Sequence, residues 1–273
     1  MTTFLRLLAE SDKATALAES CARLRSGSSD PRLFSVTPTA FDAVPGKPFA
    51  YWVSDAVRET FARVPAFEGE GRTVKQGLAT ADDFRFVRGW WEVSDQWSVI
   101  SGQKWFPFAK GGAYSPFYAD VYLEVNWADG GYELDTFSGS VIRNPDFYLR
   151  PALTWPRRTT SGLSLRVMPT GCSFADKGPA AFVAVDDPNT LLALLALTNS
   201  RAFGLLVSLQ LAAADAAARS YEVGVIQKTP VPALNAEQQT TLAALARRAW
   251  SLKRKLDTIE ETSHAFLLPA ALL

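Results

Sequence analysis

The sequence is short of the residues that most catalytic and metal centres are built from. Its 273 residues include one histidine, His264, near the C-terminus, and two cysteines, Cys21 and Cys172, far apart in the chain. One late histidine leaves almost nothing for a Ser-His-Asp or Cys-His constellation, and it excludes histidine-based metal sites. Two distant cysteines without metal-type spacing imply neither a disulfide framework nor a zinc knuckle, and they fit a reducing cytoplasm. Net charge is also missing: 28 basic residues balance 28 acidic ones, which argues against a purely electrostatic clamp on a polyanion. The longest apolar run, Leu191 to Leu197, has seven residues, where a membrane span needs about 20. The first eight residues are broken by Arg6 and run into Glu10, Asp12 and Lys13, unlike a signal peptide. A soluble cytoplasmic protein without a membrane partner is expected.

What the chain does have is apolar mass and aromatic density. Hydrophobic residues make up 48% and charged residues 21%, ordinary values for a chain long enough to bury a full core. Between Phe84 and Trp155 fall eighteen of the thirty-two aromatic residues, interleaved with Arg, Lys, Asn and Gly. From Arg143 to Lys177 six basic residues face two acidic ones, a local excess of four in a neutral chain.

The pattern predicts an α+β fold: a central, mostly antiparallel, strand-rich domain with flanking N-terminal and C-terminal helices. Three segments are expected: 1–70 helical and linker, 71–234 strand-rich with apolar helices near 187–218, and 235–273 a C-terminal helix. Leu5, Leu8, Leu17, Cys21 and Leu24 predict a helix over Thr3 to Arg25, and Ser54 caps a second one carrying Val57, Phe61 and Val64. Period-two alternation is clearest from Val121 to Trp127, with Val121, Leu123, Val125 and Trp127 facing one way. Phe84–Arg88, Lys104–Phe108, Tyr132–Phe137, Leu163–Met168 and Ala181–Val185 are further strand candidates. Asp187-Pro188 opens an apolar helix that breaks at Asn199-Ser200 and resumes through Phe203, Leu206 and Leu209. The last helix starts with the capping-box pair Asn235 and Gln238. Leu242, Leu245, Ala249, Leu252, Leu256 and Ile259 then alternate spacings of three and four, a heptad seam expected to pack on its own domain. Trp127 and Trp155 sit in apolar registers and belong to the core.

No catalytic loop emerges. The chain carries no Walker loop, no dinucleotide-type glycine fingerprint and no glycine motif for S-adenosylmethionine. Asn144-Pro145-Asp146-Phe147-Tyr148 superficially matches the N-P-P-Y loop of amino-methyltransferases, but Asp146 replaces the second proline and Phe147 is inserted. Carboxylates such as Asp82, Asp83, Asp120, Asp129 and Asp135 show no spacing that marks an acid-base or metal pair, and Asp82-Asp83 reads as a turn ahead of Phe84.

Several ordered motifs carry a resemblance. Gly77, Leu78, Thr80, Asp82, Arg85 and Phe86 match a G-L-x-T-G-D-N-x-R-F segment. Lys110-Gly111-Gly112 follows, then Val125 and Trp127, Ile142-Arg143-Asn144, and Tyr148, Arg150, Leu153, Thr154 and Trp155. Phe174, Lys177-Gly178, Asn199-Ser200 and Tyr221-Glu222-Val223-Gly224 continue the order. Over roughly residues 45–232 the chain resembles the target-recognition region of PglX-type adenine-specific DNA methyltransferases of BREX and DISARM phage-defence systems, relatives of type IIG restriction-modification enzymes. It departs at Ala81 and Asp83, where the family tends to Gly and Asn. The family's methyltransferase domain is not in this sequence. The resemblance therefore implies a specificity module that binds no cofactor itself, with S-adenosylmethionine held by a methyltransferase domain or subunit.

The residues agree with that implication on physical grounds. Loop Arg and Lys supply phosphate contacts, Asn and Arg read adenine and guanine edges, and aromatics at loop tips stack on bases. Candidate contacts to double-stranded DNA are Thr80, Arg85, Lys110, Asn126, Arg143, Asn144, Arg157, Arg158 and Lys177; no catalytic or metal-binding residue is assigned. Leu242, Leu245, Leu252 and Leu256 are a candidate surface for a helical protein partner. The alternatives are a carbohydrate or ligand module built on aromatic platforms and a structural assembly subunit, with an independent enzyme last.

Overall fold

The computed structural model describes residues 1–93, 103–211 and 219–272. It opens with strand β1 (Thr2–Leu5), helix α1 (Lys13–Arg25), strand β2 (Leu33–Val36) and helix α2 (Asp55–Arg63). The expected helix from Thr3 is thus cut in two, because residues 2–5 pair antiparallel with 33–36 and the helix starts only where Asp12 accepts bonds from the Ala14 and Thr15 amides. Leu17 and Leu24 are exposed, and Ala16 and Ser20 form the buried side of α1. Val57 and Phe61 of α2 pack against Val44, Ala50 and Leu209, which ties this N-terminal portion to the body.

The middle of the chain contributes β3 (Arg72–Lys75), the single turn α3 (Asp83–Phe86), β4 (Val87–Gly89), α4 (Trp90–Val93), β5 (Trp105–Ala109), β6 (Leu123–Asn126) and α5 (Tyr132–Asp135). Then come β7 (Ala152–Thr154), β8 (Arg158–Thr159), β9 (Arg166–Met168), β10 (Ser173–Phe174) and β11 (Ala180–Val183). The expected strand at Tyr132–Phe137 is a helical turn, because Asp129 (φ 50°) and Gly131 (φ 86°) turn the backbone left-handed just before it. Phe84–Arg88 is likewise split, since the Asp82 side chain caps a helical turn by accepting from the Arg85 amide.

Two four-stranded sheets result, ordered β3-β11-β7-β9 and β10-β5-β6-β4. All of their pairings are antiparallel except β10 with β5, which run parallel. The first sheet is a middle layer. Along β11, Ala181 and Val183 enter a core shared with the helices, while Ala180 and Phe182 enter a second core shared with the other sheet. Burial on both faces explains why Ala180–Val183 reads as a continuous apolar run rather than an alternation. The same holds for β6, where Glu124, Val125 and Asn126 are all buried, so the alternation read from Val121 to Trp127 does not separate a wet face from a dry one.

The outer layer is helical: α6 (Pro188–Thr198), α7 (Arg201–Gln210), then β12 (Arg219–Ser220), α8 (Val223–Lys228) and α9 (Ala236–Leu256). Asp187 caps α6 by accepting from the Thr190 amide at 2.7 Å, Ser200 caps α7, and Asn235 with Gln238 closes a full capping box on α9. The tail of the expected 187–218 helical stretch, residues 212–218, lies outside the described residues. No single helix among the described residues is long and apolar enough to cross a membrane, and α6 and α7 meet at a bend of 67°.

The heptad seam is placed differently from the expectation. Against α6 the helix α9 buries Ala243 and Ala246, and Leu245, Leu252 and Leu256 point away from that contact. Small residues let the two helix axes come close, and that approach turns the leucines outward.

Candidate functional site

The parallel pairing of β5 with β10 positions the site. Parallel neighbours end at the same edge of a sheet, so the loops that follow them, Lys110-Gly111-Gly112 and Asp176-Lys177-Gly178, leave side by side. They are in close contact. A Cβ on Gly111 (φ 89°) would come within 2.7 Å of the Lys177 carbonyl oxygen, and one on Gly178 within 2.6 Å of the Gly111 nitrogen. Only glycine fits at either place.

Three more segments close on this pair. Leu78 bridges Ala175, and the Leu78 carbonyl accepts from the Asp176 amide at 2.9 Å, which brings in the loop from Gly77 to Asp83. Ala79 bridges Val141, and Asn144 Nδ2 donates to the Gln76 carbonyl at 2.8 Å, which adds the 140–144 segment. The Arg157 amide donates to the Lys177 carbonyl at 3.0 Å, and β8 with Arg158 pairs with β12. Lys110, Arg143, Asn144, Arg157, Arg158 and Lys177 therefore belong to one connected group of loops.

At its centre Asp83 joins Lys110 to Thr80. The Thr80 hydroxyl donates to Asp83 Oδ1, and Lys110 Nζ makes an ion pair with the same oxygen. Burial works to raise the Asp83 pKa, but the bonds from Lys110 and Thr80 and the charges of Lys110 and Lys177 outweigh it and hold the carboxyl below the usual carboxylate range. Ala81, where the motif has glycine, adopts φ 59°, so the left-handed turn is kept without the residue that most easily makes it.

Arg166 supports the cluster from below and was not foreseen from the sequence. It is buried on β9, donates from one terminal nitrogen to the Ala113 carbonyl at 2.8 Å and from the other to the Gly111 carbonyl, and thereby ties down both sides of the glycine turn. No carboxylate pairs with it among the described residues, and burial pulls its guanidinium down to about 10. A cavity of about 150 Å³ opens next to it, walled by Lys110, Gly111, Gly112, Tyr122 and Thr154. Its only sequence signal is an arginine inside an apolar strand.

The remaining predicted residues divide by exposure. Lys177 and Arg158 are exposed and form no ion pair among the described residues. Arg157 is half-buried between Asp176 (3.6 Å) and Glu222 (3.8 Å). Arg85 is exposed, its guanidinium 5.1 Å from the Phe137 ring, on the α3 turn whose Phe84 is 88% exposed. Thr80 and Asn126, each 4% exposed, are not on the accessible surface: Thr80 is spent on Asp83, and Asn126 Oδ1 accepts from the Ala128 amide at 3.2 Å and closes a turn on the far side of β6. The 144–148 motif is closed in the same way, since Tyr148 is buried and its hydroxyl donates to the Arg143 carbonyl at 2.9 Å. No cluster of three or more His, Cys, Asp or Glu suited to a metal ion occurs among the described residues.

No family model matches the chain. Over 173 residues it is 34% identical to the adenine-specific methyltransferase BrxX of Escherichia coli O9:H4 (strain HS), a match covering 62% of this chain and 14% of that protein. Over 238 residues it is 26% identical to the adenine-specific methyltransferase PglX of Lacticaseibacillus casei (strain Zhang), covering 80% of this chain and 19% of that protein. The chain is a homologue of part of these two methyltransferases. It spans less than a fifth of the length of either.

Proposed function

We propose that the chain is a DNA sequence-recognition module, without methyl-transfer activity of its own, that serves an adenine-specific DNA methyltransferase of a phage-defence or restriction-modification system. The observation that carries this reading is the gathering of Lys110, Arg157, Arg158 and Lys177 on loops held together by the β5–β10 edge. The likeness to BrxX and PglX supports the connection with methylation.

In this reading Lys177 and Arg158 take phosphates, while Arg143, Asn144 and Arg85 approach base edges. Asn144 gives its amide group to Gln76 and keeps its oxygen as an acceptor. Phe84, with the Arg88 guanidinium 5.7 Å from its ring, is the most exposed aromatic among the described residues and is open for stacking, a contact worth about 1–3 kcal/mol per base. Thr80, Asp83 and Arg166 set the loops rather than touch the duplex. S-adenosylmethionine and the transfer chemistry belong to the methyltransferase domain or subunit that acts with this module.

The test is titration of mixed-sequence duplex DNA at low and moderate salt, with and without a methyltransferase partner. Binding should weaken with salt by about 0.9 in log–log slope for each phosphate contacted. No binding at low salt under either condition would overturn the proposal.

A further inference from the structure

Helix α9 offers a second surface, on the side away from its contact with α6. It is fixed to the body from that inner side: Ala243 and Ala246 are buried, Gln239 Nε2 donates to Thr190 Oγ1 at 2.7 Å, and an Arg247 terminal nitrogen donates to Asn189 Oδ1 at 3.3 Å. On the outer side Leu245, Leu252 and Leu256 are 57%, 59% and 64% exposed, and Ile259 continues the line in the short turn Asp257–Ile259. Steps of seven, four and three put these side chains on one stripe, the spacing by which one helix receives another. Isolated surface leucines need no explanation, but a continuous row at heptad spacing on a capped, 21-residue helix does.

From Leu245 to Leu256 the border of the row is basic, and the acidic residues Asp257 and Glu260 enter only beside Ile259. Arg248 and Lys255, at i+3 from Leu245 and Leu252, are both exposed and neither forms an ion pair among the described residues. Lys253 and Arg254 add to the positive charge of the last turn. A second copy of the chain would bring these cations against their like, which disfavours self-pairing.

We propose that the Leu245–Ile259 row docks an amphipathic helix of another polypeptide, one with an apolar face bordered by glutamate or aspartate. Apolar side chains of that helix cover Leu245, Leu252 and Leu256, and its acidic flanks meet Arg248 and Lys255. Residues that flank a helical seam choose the partner by charge, so the basic border selects an acidic one. This surface does not depend on the DNA-recognition reading, and either can fail alone.

The experiment uses the whole chain and two labelled synthetic helical peptides of about three heptads, with leucine at the seam positions and either glutamate or lysine at the flanks. Fluorescence anisotropy should show saturable binding of the glutamate peptide, roughly tenfold tighter than the lysine peptide and weakened by salt. Leu252→Asp should abolish it with unchanged circular dichroism. Should that variant fold poorly, Lys255→Glu, which leaves the leucines in place, should weaken the glutamate peptide and strengthen the lysine peptide. Absence of binding, equal binding of both peptides or indifference to Lys255→Glu would overturn the proposal. So would a dimer in sedimentation that Leu252→Asp dissolves, since a second copy would then cover the row. Binding of vesicles of phosphatidylcholine and phosphatidylglycerol, lost in Leu252→Asp while the peptides fail to bind, would assign the surface to a bilayer instead.

Discussion

The middle sheet has a different kind of core on each side. Toward the loop cluster, a set of touching rings runs through aliphatic filling: Phe86, Phe108, Tyr148, Phe174 and Phe182 are buried among Leu78, Val125, Leu134 and Met168, with Tyr148 and Phe182 each a little over 5 Å from the Phe174 ring. Toward the helices the aliphatic share is larger, with Leu153, Leu191, Leu194, Leu195 and Val207 packed among Trp155, Phe67, Phe203 and Tyr221. Aromatic rings have few rotatable bonds and interlock in preferred geometries, so they make a stiff base for loops that must keep their spacing. Aliphatic side chains and small residues let helices pack closely, and that is how α9 comes to show its leucines outward. One face of the sheet is suited to holding loops in position, the other to presenting a helix.

Substitutions can break this contrast at several depths. The largest effect is expected at Trp155, which is fully buried and donates from Nε1 to the Tyr221 carbonyl at 2.9 Å. Trp155→Ala should lower stability by about 3–5 kcal/mol in urea unfolding, losing the helical side and the loops together because the sheet is shared. Separate transitions for the two sides would contradict a common middle layer. Next is Ala246→Leu, which forces a large side chain between α9 and α6 and should cost about 1–3 kcal/mol. Leu252→Ala, on the outer side, should stay within about 0.5 kcal/mol. Equal effects at 246 and 252 would mean that α9 is rotated from the orientation described.

The loop side is sharpened by charge rather than volume. Lys177→Ala and Arg158→Ala should leave thermal unfolding nearly unchanged, while each lowers the salt slope of DNA binding by about 0.9. An unchanged slope in both would remove them from the interface. The smallest effect concerns pH. The folded pKa of Asp83 lies below its unfolded value, so the stability it contributes is fully present above the ordinary aspartate range and is lost as pH falls through the lowered one. Asp83→Asn should flatten that acid limb of the stability profile. By releasing Lys110 it should also make the salt dependence of DNA binding steeper.

How much of this could be read in advance follows from how local each feature is. The caps at Asp187 and Asn235 were legible because a cap is an exchange between neighbours three residues apart. Trp155 was legible as core from its place in an apolar register. The burial of Thr80 and Asn126 was not, because it depends on pairings with distant segments, Ala79 with Val141 and Asn126 with Trp105. The leucine row of α9 was visible as a pattern, but its direction was decided by two alanines whose small size carries no periodic signal. Arg166 was hidden most completely, since its partners are carbonyl oxygens more than fifty residues away.

The glycine contact between the 110–112 and 176–178 loops has a practical consequence for anyone who would redesign this protein. With Gly111 against Lys177 and Gly178 against Gly111, neither loop can be reshaped without the other. A graft that exchanges one alone would collide with what it left behind, and only transplanting both as a matched set keeps the seating intact.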